Sequence, residues 1–188
     1  MNLFIDTTNG CLVLVLENNN QVIDTKIIKD LIKISDVSVE EVKTLLTKNH
    51  LTIKDIHKLY VTLGPGSYTG VRVGVSIVKT LKAIDDCFEV YTISSLHYQA
   101  GLKNAISLLD AKGQKYYLGI YENGKNIICD QVILEEYIED FTEQFSTFEI
   151  LKDYQELDFV NNYLDLKSEF QLQTNINDIE PIYIKSYV

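Results

Sequence analysis

The stretch "VTLGPGSYTGVRVGVSIVKTL", residues 61–81, constrains this chain more than any other part of it. It holds four of the nine glycines, one of the two prolines and the only arginine. The apolar "LYVTL" before it reads as a strand, and the residues after it read as a helix of about fifteen residues reaching Ile84. Glycines at such a junction serve one of three ends: a phosphate cradle, a catalytic turn, or a backbone that must bend sharply. The spacing matches no standard nucleotide motif. A P-loop places Lys after the second glycine of GxxxxG, but the positions five after Gly64 and Gly66 are Thr69 and Val71. A dinucleotide loop is GxGxxG, and here the third glycine falls one place late, at Gly70. A GxSxG elbow centred on Ser67 would need glycines at Pro65 and Thr69. The structural reading is that Gly64 and Gly66 permit a tight turn, Pro65 stiffens it, and Ser67 or Thr69 caps the helix. An anion at the helix start stays open beside it.

The helix itself is apolar over too wide an arc. At 100° per residue, Val71, Val73, Gly74, Val75, Ile77, Val78, Leu81 and Ile84 spread over about 200°, whereas a helix on one sheet shows a stripe of about 100° or somewhat more. Burial on two sides follows, either inside the molecule or against a second chain. Gly74 within the arc allows close approach of another backbone. Arg72 lies on the polar side, in the first turn, and is expected to pair with a carboxylate near an interface.

Along the rest of the chain, "NLFID", "CLVLVLE" and "QVIDTKII" read as three strands with a hairpin at "ENNNQ". "SVEEVKTLLTKNH" reads as a helix opened by a capping box of Ser38 and Glu41. After Ile84 a second set begins: strand "EVYTIS", short helix "SLHYQAGL", strand "AISLLDA", then a hairpin about Asn123-Gly124. Helical patterns follow at about 134–145 and 153–166, and the apolar tail "IEPIYIKSYV" is expected to return to a sheet. The reading is two α/β lobes, 1–85 and 86–188, the second smaller and acidic.

Charge divides unevenly. Residues 1–129 hold 14 Lys+Arg against 13 Asp+Glu, and residues 130–188 hold 3 against 14. A net charge of −10 argues against gripping a polyanion unaided. Cys11, Cys87 and Cys129 are odd in number and far apart, which reads as reduced thiols with no zinc or disulfide framework. No apolar run approaches the length of a membrane span, and "MNLFIDTTNG" lacks the basic and apolar regions of a signal peptide. The expected compartment is the cytoplasm, with no membrane contact.

Several strings, taken in order, resemble the TsaB (YeaZ) family, the dimerisation subunit of the bacterial tRNA threonylcarbamoyladenosine machinery. They are "LFIDTTNGCLVLVL", "LYVTLGPGSYTGVRVGVSIVKTL", "ISSL", "LLDAKGQKYYLGIY" and the terminal "PIYIKSYV". The resemblance covers roughly residues 1–122 and the PxY tail; GPGSYTGVRVG is its specific part. It implies an α/β, two-lobed fold of the actin/Hsp70/sugar-kinase (ASKHA) type, with mixed sheets and a reduced second lobe. It implies a non-catalytic subunit with no cofactor of its own, ATP and metal being expected on a TsaD-like large subunit. A TsaE-like ATPase completes the set, and tRNA is met only through the complex. The interface is expected on the helices at 38–49 and 69–84, with Val39, Val42, Leu45, Leu46, Val71, Arg72, Gly74, Val75 and Val78. Gly64, Pro65, Gly66, Ser67, Thr69 and Gly70 form the turn that sets the helix angle. Asp6 and Thr7, with Asp110 and Gly113, fall at vestigial phosphate turns. An ASKHA-type phosphotransferase using Asp6, a homodimeric scaffold built on the same helix pair, and a peptidase using Ser67 stand as alternatives.

Overall fold

The computed structural model describes residues 1–184 and contains two mixed sheets. Strands β1 (Asn2–Asp6), β2 (Leu12–Asn18) and β3 (Gln21–Ile28) form an antiparallel meander. Helix α1 (Ile34–Lys48) then crosses to β4 (Lys58–Thr62), which runs parallel to β1, and α2 (Tyr68–Ile84) leads to β5 (Glu89–Ile93), parallel to β4. After α3 (Ser95–Ala100) the same walk begins again. Strands β6 (Ala105–Asp110), β7 (Lys115–Glu122) and β8 (Lys125–Leu134) form a second meander. Helix α4 (Ile138–Gln144) then leads to β9 (Glu149–Lys152), parallel to β6. The two halves therefore share one connectivity, the two-lobed, mixed-sheet α/β fold that the resemblance implies.

The second half is not completed. After α5 (Phe159–Asp165) the next strand, β10 (Gln171–Gln173), joins the first sheet, antiparallel to β5. The sheets thus run β10-β5-β4-β1-β2-β3 and β8-β7-β6-β9. They do not divide at residue 85, because β5 and β10 both lie in the first. Residues 179–184 are irregular rather than strand, with the Ile182 N–H bonded to the Leu63 carbonyl (2.8 Å). The remainder of the expected C-terminal strand, 185–188, lies outside the described residues.

Packing explains why "CLVLVL" is apolar without alternation. Leu12, Leu14 and Leu16 face α1 and α2, while Val13 and Val15 face the second core between the lobes. A strand covered on both faces needs apolar residues at every position. The inter-lobe core is aromatic. Tyr163 of α5 stacks on Phe4 of β1 (centroids 4.6 Å), and Phe170 meets Tyr60 edge-on (5.2 Å). Offset and edge contacts of this kind add to area burial.

One local reading is corrected and another holds. Ser38 does not open α1; it is buried a turn inside, its hydroxyl donating to the Ile34 carbonyl (2.6 Å). It shares the core-facing stripe with Ile34, Val42, Leu45 and Leu46, so burial of Ile34 extends the helix upstream. The capping box belongs instead to Thr52 and Asp55, at a short 3₁₀ turn. At the hairpin, Asn123 and Gly124 both take positive φ (49° and 74°), the geometry their sequence predicts.

One ion pair fastens the lobes. The Glu17 carboxylate on β2 is fully buried and accepts from Lys167 Nζ (2.6 Å), just beyond α5, and from Asn2 Nδ2 (2.5 Å) and the Asn20 N–H (2.8 Å). Burial pushes its carboxyl upward, but these donors together outweigh burial and hold it below the usual range. Lys167→Ala leaves that carboxylate buried without its counter-ion. The expected loss in urea unfolding at pH 7 is about 3 kcal/mol, shrinking as pH falls and Glu17 takes up a proton.

Candidate functional site

The glycine loop faces inward, onto the turn that follows β1. Asp6, Thr7 and Thr8 there are buried. The Ser67 N–H donates to the Thr8 carbonyl (2.7 Å) and Ser67 Oγ caps α2 by accepting from the Gly70 N–H (3.4 Å). Thr7 Oγ1 donates to the Gly70 carbonyl (2.6 Å) and accepts from the Gly74 N–H (3.0 Å). Three glycines make this approach possible. A Cβ at Gly66 would stand 2.5 Å from the Thr8 carbonyl oxygen, one at Gly70 would overlap the Thr7 carbonyl oxygen, and one at Gly74 would stand 2.7 Å from Thr7 Oγ1. Gly70 and Gly74 are one turn apart on one face of α2, and Gly66 lies in the loop just before its cap. That i, i+4, i+8 pattern is the sequence signal that could have found Thr7 as the contact. Gly64 serves the bend itself, with φ of +93°, and Pro65 is buried beside it.

Asp6 lies beneath this turn. Its Oδ1 accepts from Thr62 Oγ1 (2.5 Å), Thr8 Oγ1 (2.7 Å) and the Thr8 N–H (2.9 Å), while Oδ2 has no partner among the described residues. Thr8 Oγ1 also meets Ser95 Oγ (3.0 Å) and the Tyr154 hydroxyl (3.1 Å). Thr62, Ser95 and Tyr154 join this network from three separate parts of the chain, and no local motif marks them. Burial drives the Asp6 carboxyl above the usual carboxylate range, against the pull of Thr62 and Thr8.

The second turn is unlike the first. Asp110 is exposed, and its carboxylate accepts from its neighbour Lys112 at both N–H (2.7 Å) and Nζ (2.6 Å). That pairing holds its carboxyl below the usual range. Gly113 turns the chain at φ +65° with open space around it. Between the two turns lies a cleft of about 690 Å³, lined by Asn9, Ser67, Tyr68, Lys112, Tyr117 and Asp153 among others. The start of α2 and the loop before it cover the Thr7 and Thr8 carbonyls of the first turn, while Asn9 and Gly10 of the same turn stay half-exposed on the cleft wall.

The helix pair shows a different character. Val42, Leu45, Leu46, Val71, Gly74, Val75 and Val78 are buried within this chain, against the first sheet and the Thr7 turn. Leu45, Val71, Gly74, Val75 and Val78 thus belong to this chain's own core, which explains most of the wide arc of α2, while Val42 and Leu46 also reach the seam between the two helices. What stays open is the seam between α1 and α2. Val39, Val42, Leu46, Leu51, Ile53, Ile77 and Leu81 line a groove of about 360 Å³ that is almost wholly apolar. Val39 is 64 % exposed on its rim, and Ile84 is 77 % exposed at the end of α2. Thr69 is exposed in the first turn of α2, and Arg72 points to solvent.

A model of the family described as TsaD: tRNA N6-adenosine threonylcarbamoyltransferase matches residues 33–151. The tRNA threonylcarbamoyladenosine biosynthesis protein TsaB of Bacillus subtilis is 34 % identical over 142 residues, covering 72 % of this chain and 61 % of that one. An uncharacterised protein of Mycoplasma genitalium is 29 % identical over 192 residues, covering 99 % and 95 %. Among solved structures, YeaZ from Pseudomonas aeruginosa shares the fold, with a TM-score of 0.73 at 15 % identity, covering 97 % of this chain and 99 % of that one.

Two outcomes follow from the sealed turn. Gly70→Ala meets main chain that cannot move aside and is expected to cost about 3 kcal/mol in chemical denaturation. Gly74→Ala meets only the Thr7 hydroxyl, so its cost of about 2 kcal/mol should largely vanish in a Thr7→Ala background, a non-additivity a double-mutant cycle reads directly. For Asp6, a raised folded-state pKa means its stabilising contribution is complete below the unfolded value near 4 and is lost as pH rises through the folded value. Asp6→Asn keeps the acceptor oxygen and removes the charge, so its stability relative to the unmutated chain should be higher at pH 8 than at pH 4.

Proposed function

The chain belongs to the TsaB/YeaZ family, and on that footing we propose that it is a non-catalytic subunit of the tRNA threonylcarbamoyladenosine machinery. In this reading it binds a TsaD-like large subunit, which carries the nucleotide and metal and modifies the adenosine beside the anticodon. The observation that carries the reading is the apolar groove between α1 and α2. Apolar side chains left at the rim of an otherwise ordinary surface mark a place where another protein completes the packing. A helical partner suits the shape, since a groove between two helices accepts the ridge of a third.

Two further observations support a role without chemistry. Thr7 and Thr8 of the turn after β1 are taken up in packing against Gly66, Gly70 and Gly74. Asp6 is sealed from solvent and drawn into a hydroxyl network that uses one of its oxygens. The net charge of −10 supports tRNA being met through the complex rather than by this chain alone. A TsaE-like ATPase joins the same assembly in this reading.

Light scattering on a sizing column tests it, with this protein alone and mixed with the TsaD-like protein of the same organism. A one-to-one complex is expected. Ile77, half-buried in the groove floor, is the residue to charge; Val75 is part of this chain's own core. Ile77→Glu would bury an unpaired carboxylate at the centre of the contact and should weaken the complex roughly 100-fold or more while the isolated protein stays folded. Native protein that ignores the TsaD-like chain and instead pairs with itself through this groove would overturn the reading in favour of a homodimeric scaffold.

A further inference from the structure

Arg72 is the only arginine among 17 basic residues, and the structure holds it in one orientation. Its guanidinium lies 4.2 Å over the Tyr68 ring, and its Nε donates to the Tyr183 hydroxyl (2.7 Å). Both tyrosines are themselves largely open, at 61 % and 51 %. The two terminal Nη groups meet no acceptor among the described residues. In a chain with 27 acidic residues, no described carboxylate comes within 4.0 Å of the one arginine. The side chain is therefore a two-pronged donor whose stem is fixed and whose prongs are empty among the described residues.

We infer that this fork takes a carboxylate on the bound partner protein, at a second anchor point beside the apolar groove. The inference rests on the subunit reading above and names what the partner must supply. Going round α2 at 100° per residue, exposed Ser76 and Thr80 lie between Arg72 and Ile77, so one docking surface spans both. Arg72, Lys79 and Tyr183 border a second groove, against residues 179–181. Planar, bidentate pairing is what guanidinium offers and ammonium does not, and a fork already fixed loses little rotamer entropy on binding. Tyrosine and arginine are also the residue types that carry energy at the centres of protein interfaces. A nucleic-acid phosphate is the weaker match: among the described residues Lys79 is the one further cation lining that groove, Glu180 lines it too, and the chain as a whole is strongly negative.

The test measures the dissociation constant of the native protein for the TsaD-like chain against Arg72→Lys, Arg72→Ala and Tyr183→Phe, with Ile77→Glu as control. Each variant is first shown to melt like the native protein. Loss of roughly 30-fold in Arg72→Ala, and of roughly tenfold in Arg72→Lys despite its retained charge, is the expected result, with a smaller, few-fold loss in Tyr183→Phe. Recovery of Arg72→Glu binding by a single carboxylate-to-lysine change on the partner would identify the paired group. Should both Arg72→Ala and Arg72→Lys bind within twofold of native while Ile77→Glu abolishes the complex, the anchor is overturned and the groove stands. Weakened tRNA association with unchanged affinity for the protein partner would overturn it in favour of a phosphate. Absence of any complex with the native protein overturns the anchor and the subunit reading together.

Discussion

The close contact between the Thr7–Thr8 turn and the glycine face of α2 fixes the geometry of everything around it. Thr7 Oγ1 bridges a carbonyl and an N–H of the same helix, which pins the helix axis relative to β1. Because α2 is pinned there, its apolar side must descend onto the first sheet and its next side onto α1. The groove on the outer surface is the seam left between two helices placed in this way. The contact also explains the cost of four glycines in one segment. At Gly66, Gly70 and Gly74 backbone proximity requires them, and at Gly64 a positive φ does.

The same contact shapes one wall of the cleft between the lobes. In a two-lobed fold of this kind a ligand would enter between the turns after β1 and β6. Here Thr7 and Thr8 of the first turn are taken up in packing, and the Asp6 carboxyl sits under a lid of hydroxyls with one oxygen unpaired among the described residues. Desolvation favours the neutral form of that carboxyl. The lobes are meanwhile drawn together by an aromatic core, by the Glu17–Lys167 pair, and by β10, a strand from beyond the second sheet that completes the first.

Much of the fold was legible from residue pattern. Period-two and continuous apolar runs locate the meanders, Asn123-Gly124 locates a hairpin, and the junction at 61–81 locates a strand, a turn and a long helix. The short elements were not legible. Strands β9 and β10, of four and three residues, exist because a neighbouring strand supplies their hydrogen bonds, and nothing local distinguishes them from loop. Ser38 was misplaced for a related reason. A serine followed three residues on by glutamate looks like a cap, yet burial of Ile34 one turn earlier outweighs the local signal. Of the site, the excess width of the α2 arc and the isolation of Arg72 were visible, whereas the partners of Asp6 were not, since Thr62, Ser95 and Tyr154 approach it from distant segments.

By itself the sequence determined the class of fold, the order of its long elements, the family, and the need of α2 for burial on more than one side. Those follow from short-range rules of periodicity, turn conformation and hydrophobic area, which act within a few residues. Tertiary structure alone decided where that burial comes from. It assigned Val71, Gly74, Val75 and Val78 to the molecule's own core, and left Val39, Ile77, Leu81 and the Arg72 fork at the surface. The physical reason is that a helical wheel records which residues avoid water, but not whether the covering atoms belong to the same chain. Only the position of α2 against Thr7, the first sheet and α1 separates the two.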